Sequence, residues 1–107
     1  MTLPPLTEPV LFILISLAER PRHGYSILKD VEELSVGRVV LSTGTLYGAL
    51  RRLLDEGWIE RFEENDTTRG RQAYRLSPKG RRTLQTEISR LKQLTRVASL
   101  RAAGKEA

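Results

Sequence analysis

Residues 10–18 read Val-Leu-Phe-Ile-Leu-Ile-Ser-Leu-Ala, a run that is apolar on nearly every face of a helix. Thr7 precedes it as an N-cap, and Glu8 and Pro9 fall in the first turn, where an acid and a proline are both well placed. A helix without a polar stripe must be covered on more than one side. The chain has 107 residues, enough for one domain and too few for two, so its own bulk does not supply all of that cover. The run therefore predicts a helix shared between its own domain and a second copy of the chain, with Leu11, Phe12 and Ile15 at that interface. It falls far short of the ~20 residues a membrane span needs. Glu8 beside it, with no preceding cationic side chain, argues against a signal peptide, so a cytoplasmic protein without a membrane partner is expected. Arg20, Pro21 and Arg22 end the helix, since proline disfavours helical geometry in the residue before it.

Further along, periodicity supplies the remaining elements. Ile27, Leu28, Val31 and Leu34 predict a second helix over about residues 23–34, and Gly37 breaks it. Val39-Val40-Leu41 is β-prone but very short. Ser42 is a good N-cap for a third helix over residues 43–56, in which Leu46, Leu50, Leu53 and Leu54 share one side. Gly57 stops it. A hairpin follows, with strands over 58–64 and 71–77 around a polar turn. Ser77 and Pro78 then open a long last helix over about 79–102. Along it Leu84, Ile88, Leu91, Thr95 and Ala98 alternate steps of four and three, roughly two heptads of a coiled-coil seam, which Leu94 widens together with Val97. The fold class is mainly α (α+β). Three helices, a two-stranded wing and a long C-terminal helix form the layout of a winged helix-turn-helix, whose third helix is the one that enters a DNA groove.

Charge and composition narrow the chemistry. Lys and Arg number 18 against 13 Asp and Glu, a net charge of +5. Residues 1–66 hold 7 basic and 11 acidic side chains, whereas residues 67–107 hold 11 and 2. A surplus of that size suits a polyanionic partner, nucleic acid first, although a solvated basic helix would read the same way. The absence of cysteine excludes thiolate chemistry, and a single histidine, His23, excludes a multi-histidine metal cage. No phosphate loop, nucleophile elbow or metalloprotease motif occurs. No cofactor or metal is expected, and an acid–base enzyme built on His23 has no convergent polar cluster to support it. His23 reads better as a cap or packing residue at the start of the second helix.

Several of these segments together resemble the PadR family of bacterial transcriptional regulators. They are Ser42-Thr43-Gly44-Thr45-Leu46-Tyr47-Gly48-Ala49-Leu50-Arg51-Arg52-Leu53, Glu56-Gly57-Trp58-Ile59, Gly70-Arg71, Tyr74-Arg75-Leu76-Ser77, Gly80 and, upstream, His23-Gly24-Tyr25-Ser26-Ile27. The resemblance runs over about residues 8–85 and is most specific in the Gly-Thr-Leu-Tyr segment. It implies a winged-helix dimer, usually a repressor, paired through its first and last helices, in the short subgroup with one helix after the wing. Residues 1–78 would form the DNA-binding domain and residues 79–107 the dimerisation helix. Departures are Gly48 where the family usually has proline, Trp58 where it commonly has leucine, and a thinner second wing strand, Arg71-Gln72-Ala73-Tyr74-Arg75. Trp58 is expected in the core beneath the hairpin.

With the family in view, the third helix acquires roles. At about 100° per residue, Gly44, Gly48, Arg51 and Asp55 lie opposite Leu46. Two glycines thin that face for close approach to a groove, and Arg51 is placed for a bidentate contact to guanine. Thr43, Thr45 and Tyr47 offer hydroxyls near the helix start, Ser42 caps at an anion-attracting terminus, and Arg52 suits a phosphate. Without the resemblance, Gly48 is a tolerated lapse and Arg51 a surface partner of Asp55. Arg69 and Arg71 flank Gly70 at the wing tip, where they would enter a minor groove or clamp phosphates, while Glu63, Glu64 and Asp66 nearby oppose this. Lys79 adds a backbone contact. The predicted partners are double-stranded DNA, a second copy of the chain and an inducer of unknown type. The last helix has no aromatic residue and the first only Phe12, so an aromatic stacking slot is poorly supported. The competing reading is a winged-helix module that binds protein rather than a specific DNA sequence.

Overall fold

Thr7 caps the first helix through its hydroxyl, which accepts the Val10 N–H, and Arg20 leaves helical geometry in an extended conformation. The computed structural model describes residues 6–63 and 72–104. Its elements are α1 (Glu8–Glu19), β1 (Arg22–His23), α2 (Gly24–Leu34), α3 (Thr43–Asp55), β2 (Ile59–Phe62), β3 (Ala73–Leu76) and α4 (Pro78–Gly104). The sheet is antiparallel with strand order β1-β3-β2.

The sheet contains the expected two-stranded wing, β2 paired with β3, and extends it by one strand the sequence did not predict. A third strand, β1, pairs Arg22 with Tyr74 and His23 with Ala73. Two residues are too few to show a period, and their strand character arises only from the partner that β3 supplies. Val39–Leu41, β-prone by composition, forms no strand.

The core is built from the predicted apolar stripes. Ile13, Leu14 and Leu17 of α1, Ile27 and Val31 of α2 and Leu46, Leu50 and Leu53 of α3 are buried, and Trp58 closes the space beneath the sheet. Each fully buried side chain of this size stabilises the fold by roughly 1.5–3 kcal/mol. Leu11, Phe12 and Ile15 are half-buried, so α1 is not fully covered by its own chain.

Arg22 fastens the α1–β1–α2 corner. Its guanidinium donates to the Ser16 carbonyl at 3.1 Å and the Ser26 hydroxyl at 3.2 Å, and it meets the carboxylates of Glu19 and Asp30 at 2.5 and 3.4 Å. A charge taken out of water needs this degree of pairing to be tolerated. At the surface, Arg38 pairs with Glu8, tying the α2–α3 connection to the start of α1.

That connection also carries strain. Val36 has φ +55 and Gly37 φ +78, and Val36 is 91% exposed. A left-handed conformation costs an L-residue about 1–2 kcal/mol, and asparagine tolerates it. Nothing is lost by removing a side chain that packs on nothing. Val36→Asn should therefore stabilise the fold by about 1 kcal/mol, read as a higher urea midpoint at unchanged m-value.

The start of α4 is docked through contacts that need no side chain at Gly80. Ser77 donates its hydroxyl to the Gly57 carbonyl at 2.5 Å and accepts the Gly80 N–H at 2.9 Å, and its own N–H reaches the Trp58 carbonyl at 3.1 Å. Leu84 is 5% exposed within the core, and Glu87 is buried beside it. The Glu87 carboxylate receives two bonds from Arg90, at 2.9 and 2.8 Å, and one from the Leu6 N–H. The Arg90 guanidinium, with lesser help from Leu6, holds this carboxyl below the ordinary glutamate value of 4.5. A depressed carboxyl contributes stability that is complete above the ordinary value and is lost as pH falls through the folded-state value. Glu87→Gln should then be less stable than the parent chain at neutral pH, and the gap should close below pH 4.5. Urea midpoints at the two pH values check this, and an equal gap at both would exclude the assignment.

Candidate nucleic-acid interface

The face of α3 that could meet a ligand is defined by what its other face buries. Leu46, Leu50 and Leu53 are 0, 1 and 3% exposed, and Thr43, Gly44, Tyr47, Gly48, Arg51, Arg52 and Asp55 are exposed. Ser42 caps the helix as expected. Its hydroxyl accepts the Thr45 N–H at 3.1 Å and lies 2.9 Å from the Thr45 hydroxyl, so both side chains are engaged at the helix start. At Gly44 and Gly48 a β-carbon would meet nothing within 4 Å, which leaves a shallow open strip along the helix.

Tyr47 has a second role that the sequence did not reveal. A β-carbon on Gly24 would lie 2.4 Å from its hydroxyl oxygen, so the ring occupies the space that Gly24 leaves at the start of α2. This fixes the phenol while leaving it 47% exposed. Tyr25, next in sequence, stands outward with the Lys29 ammonium 5.7 Å from its ring centre.

Arg51 opens onto a groove of about 930 Å3 between α3 and the sheet, whose lining includes Tyr47, Asp55, Arg61 and Tyr74. Among the described residues no ion pair joins Arg51 to Asp55 or to any other carboxylate. Arg52 is exposed in the last turn of α3. Lys79 stands at the far end of the helix from Ser42, with its stem against Gly57. Arg69 and Arg71 lie outside the described residues.

Arg61 and Tyr74 escaped the sequence reading. They are directly opposite one another in the β2–β3 register, and side chains of such a pair share a sheet face. Alternation alone sets Arg61 beside Ile59, but Tyr74 joins it only once the register is known. Tyr74 is 7% exposed, and its burial, with Tyr47 next, pushes the phenol above its ordinary value despite the opposing pull of Arg61. The phenol is thus protonated and able to donate.

The expected pairing surface is less uniform. Ile88, Leu94 and Val97 are 38, 52 and 43% exposed, Thr95 and Ala98 are exposed and Leu91 is half-buried, whereas Leu84 is taken up by its own core. No helix among the described residues is long and apolar enough to cross a membrane.

Comparison with known proteins agrees with this geometry. The chain resembles a transcriptional regulator from Clostridium thermocellum at 26% identity and a TM-score of 0.71, over 85% of this chain and 86% of that one. It resembles a PadR family regulator from Clostridium difficile at 26% identity and a TM-score of 0.73, over 88% and 97%. The fold is also that of Bacillus subtilis PadR, solved in complex with operator DNA, at 24% identity and a TM-score of 0.64, over 74% and 45%. An uncharacterized 37.1 kDa protein of transposon Tn4556 from Streptomyces fradiae is 37% identical over 86 residues; this chain spans about a quarter of its length, 23%. The sequence profile of the transcriptional regulator PadR-like family matches residues 13–86. That match enters in the middle of α1, takes in the whole of α3 and both wing strands, and ends inside α4: the chain belongs to the PadR-like family of transcriptional regulators.

Proposed function

We propose that this regulator is a homodimeric repressor that binds an inverted-repeat operator in double-stranded DNA, through α3 and the wing. The observation that carries the reading is the face of α3, open at Gly44 and Gly48 and bearing Arg51, which has no carboxylate partner among the described residues. A helix thin at its centre sits deep in a major groove, and an arginine there reaches guanine. Bacillus subtilis PadR, of the same fold, was solved on operator DNA, which supports the reading. The half-buried Leu11, Phe12 and Ile15 of α1 and the exposed Ile88, Leu94, Thr95 and Ala98 of α4, with Leu91, supply the pairing surface. Two-fold symmetry then presents two recognition helices to half-sites about one helical turn, or a small multiple, apart.

The test combines sedimentation of the full chain with selection from a random duplex pool and titration at two salt concentrations. A dimer, a palindromic consensus and a steep salt dependence are expected. A soluble folded monomer at micromolar concentration, or a lone half-site bound by one chain, would exclude the dimer. Salt-insensitive or absent duplex binding would favour a protein-binding module instead.

A further inference from the structure

We infer that Tyr47 is a positioning residue for sequence reading: its ring, seated in the space that Gly24 leaves, holds the N-terminal half of α3 at a set angle to α2 and to the sheet. The inference rests on the DNA reading above and goes beyond it, because Tyr47 in this role acts on the protein and not on a base. The ring stands where three elements meet. A β-carbon on Gly24 would lie 2.4 Å from its hydroxyl oxygen, 2.9 Å from Cζ and 3.5 Å from Cε1, so the end of the ring lies against the first residue of α2. β1 runs directly into that residue, and Arg22 of β1 is opposite Tyr74 of β3. Tyr47 reaches that strand as well: after burial, it is the neighbour that raises the Tyr74 phenol.

The start of α3 has little else to hold it. Thr43, Gly44 and Thr45 are exposed, and the first buried side chain of the helix is Leu46. Leu46, Leu50 and Leu53 fix rotation about the helix axis, but a stripe along one side resists tilt less well. Helices packed through such stripes vary in crossing angle by about 15–20°. Over the 13 residues of α3, a tilt of that size moves the end bearing Thr43 by several ångströms. A hydrogen bond to a base edge does not survive such a shift, whereas attraction to phosphate does. A wedge at Tyr47 therefore governs preference before it governs affinity. Gly24 is the means of removing it. The nearest atom belongs to the free end of a half-exposed side chain, so an added methyl group displaces the ring and not the backbone. Gly24 is not among the glycines with positive φ, so alanine fits its backbone.

The experiment measures affinity of the full chain for a duplex that the parent chain selects from a random pool and for an unselected duplex, with urea midpoints alongside. Gly24→Ala should fold with a midpoint near the parent's. It should lose about tenfold in the ratio of the two affinities, within what one bidentate base contact supplies, at an unchanged salt slope. Tyr47→Ala should lose the same ratio. Tyr47→Phe, which keeps the ring, should retain it whatever the common level of the two affinities does. Gly24→Ala added to Tyr47→Ala should have no further effect, since the methyl group has nothing left to displace. Unchanged preference in Gly24→Ala, or additive losses in the double variant, would overturn the role and leave DNA binding intact. Equal loss of preference in Tyr47→Phe and Tyr47→Ala would also overturn it, because the hydroxyl would then be reading a base. Should Gly24→Ala fail to fold, the two Tyr47 variants decide between these outcomes alone. A parent chain that binds no duplex would overturn the DNA reading and this role with it.

Discussion

Gly80→Ala should destabilise the chain by at least about 3 kcal/mol, beyond the usual ~1–3 kcal/mol for inserting a methyl group into a packed core. A β-carbon at this position would sit 1.8 Å from the Trp58 carbonyl oxygen and 2.7 Å from its carbon. Backbone, unlike a flexible side chain, has no alternative rotamer to adopt. The carbonyl is also held where it is, because it accepts the Ser77 N–H at 3.1 Å. Relief therefore requires α4 to lift away, which would expose Leu84 and separate Glu87 from the Leu6 N–H. A small domain has only about 5–15 kcal/mol in total, so the variant should unfold at a much lower urea concentration or be recovered insoluble. Gly48→Ala is the informative contrast. Its β-carbon meets nothing within 4 Å, so the helix propensity of alanine should stabilise that variant by up to ~1 kcal/mol. If Gly80→Ala unfolded at the parent midpoint, α4 would not be seated on Trp58 as described.

The contrast between these two glycines shows where sequence reasoning reached and where it stopped. Leucine spacing correctly divided α3 into a buried side and an exposed side, because a helix face follows from period alone. The caps at Thr7, Ser42 and Ser77 were legible for the same reason: each satisfies donors within three residues of itself. Contacts made at long sequence separation were not legible. Gly80 stood in the sequence only as part of a resemblance, and its physical reason is a carbonyl 22 positions away. Arg22 read as a helix terminator, yet it clamps α1 to α2 and pairs with Tyr74 in the sheet. Arg61 and Tyr74 come together only through a strand register, and no local pattern encodes which residue lies opposite which. Leu84 fits a heptad seam by spacing but is enclosed by its own core, since the first turns of α4 lie on the domain before the helix projects from it.

Arg51→Ala should lower affinity for the selected operator by about 1–3 kcal/mol and relax preference at one position in each half-site. The basis is geometric. Arg51 lies between the open Gly48 strip and Asp55, on a helix whose buried leucines fix its rotation, so on the proposed reading its guanidinium would meet a base edge in a defined orientation. Asp55 adds direction: one turn on and unpaired with Arg51, it repels phosphate and discourages a backbone contact there. Replacing both Arg69 and Arg71 with alanine should have a different signature. Two charges lost near phosphates weaken binding to all sequences and flatten the salt slope by up to about two units per subunit, with the preferred half-site retained. Competition between selected and random duplexes at several salt concentrations separates the two, because a base contact changes the ratio of affinities and a phosphate contact changes only their common level. The reverse pattern, with preference lost in the wing variant and only affinity lost in Arg51→Ala, would transfer sequence reading to the wing. Gly48 is where that reversal would originate: glycine has the weaker helix propensity, and at a position where even an added β-carbon would meet nothing within 4 Å no packing offsets it, so the turn before Arg51 would hold its arginine less firmly.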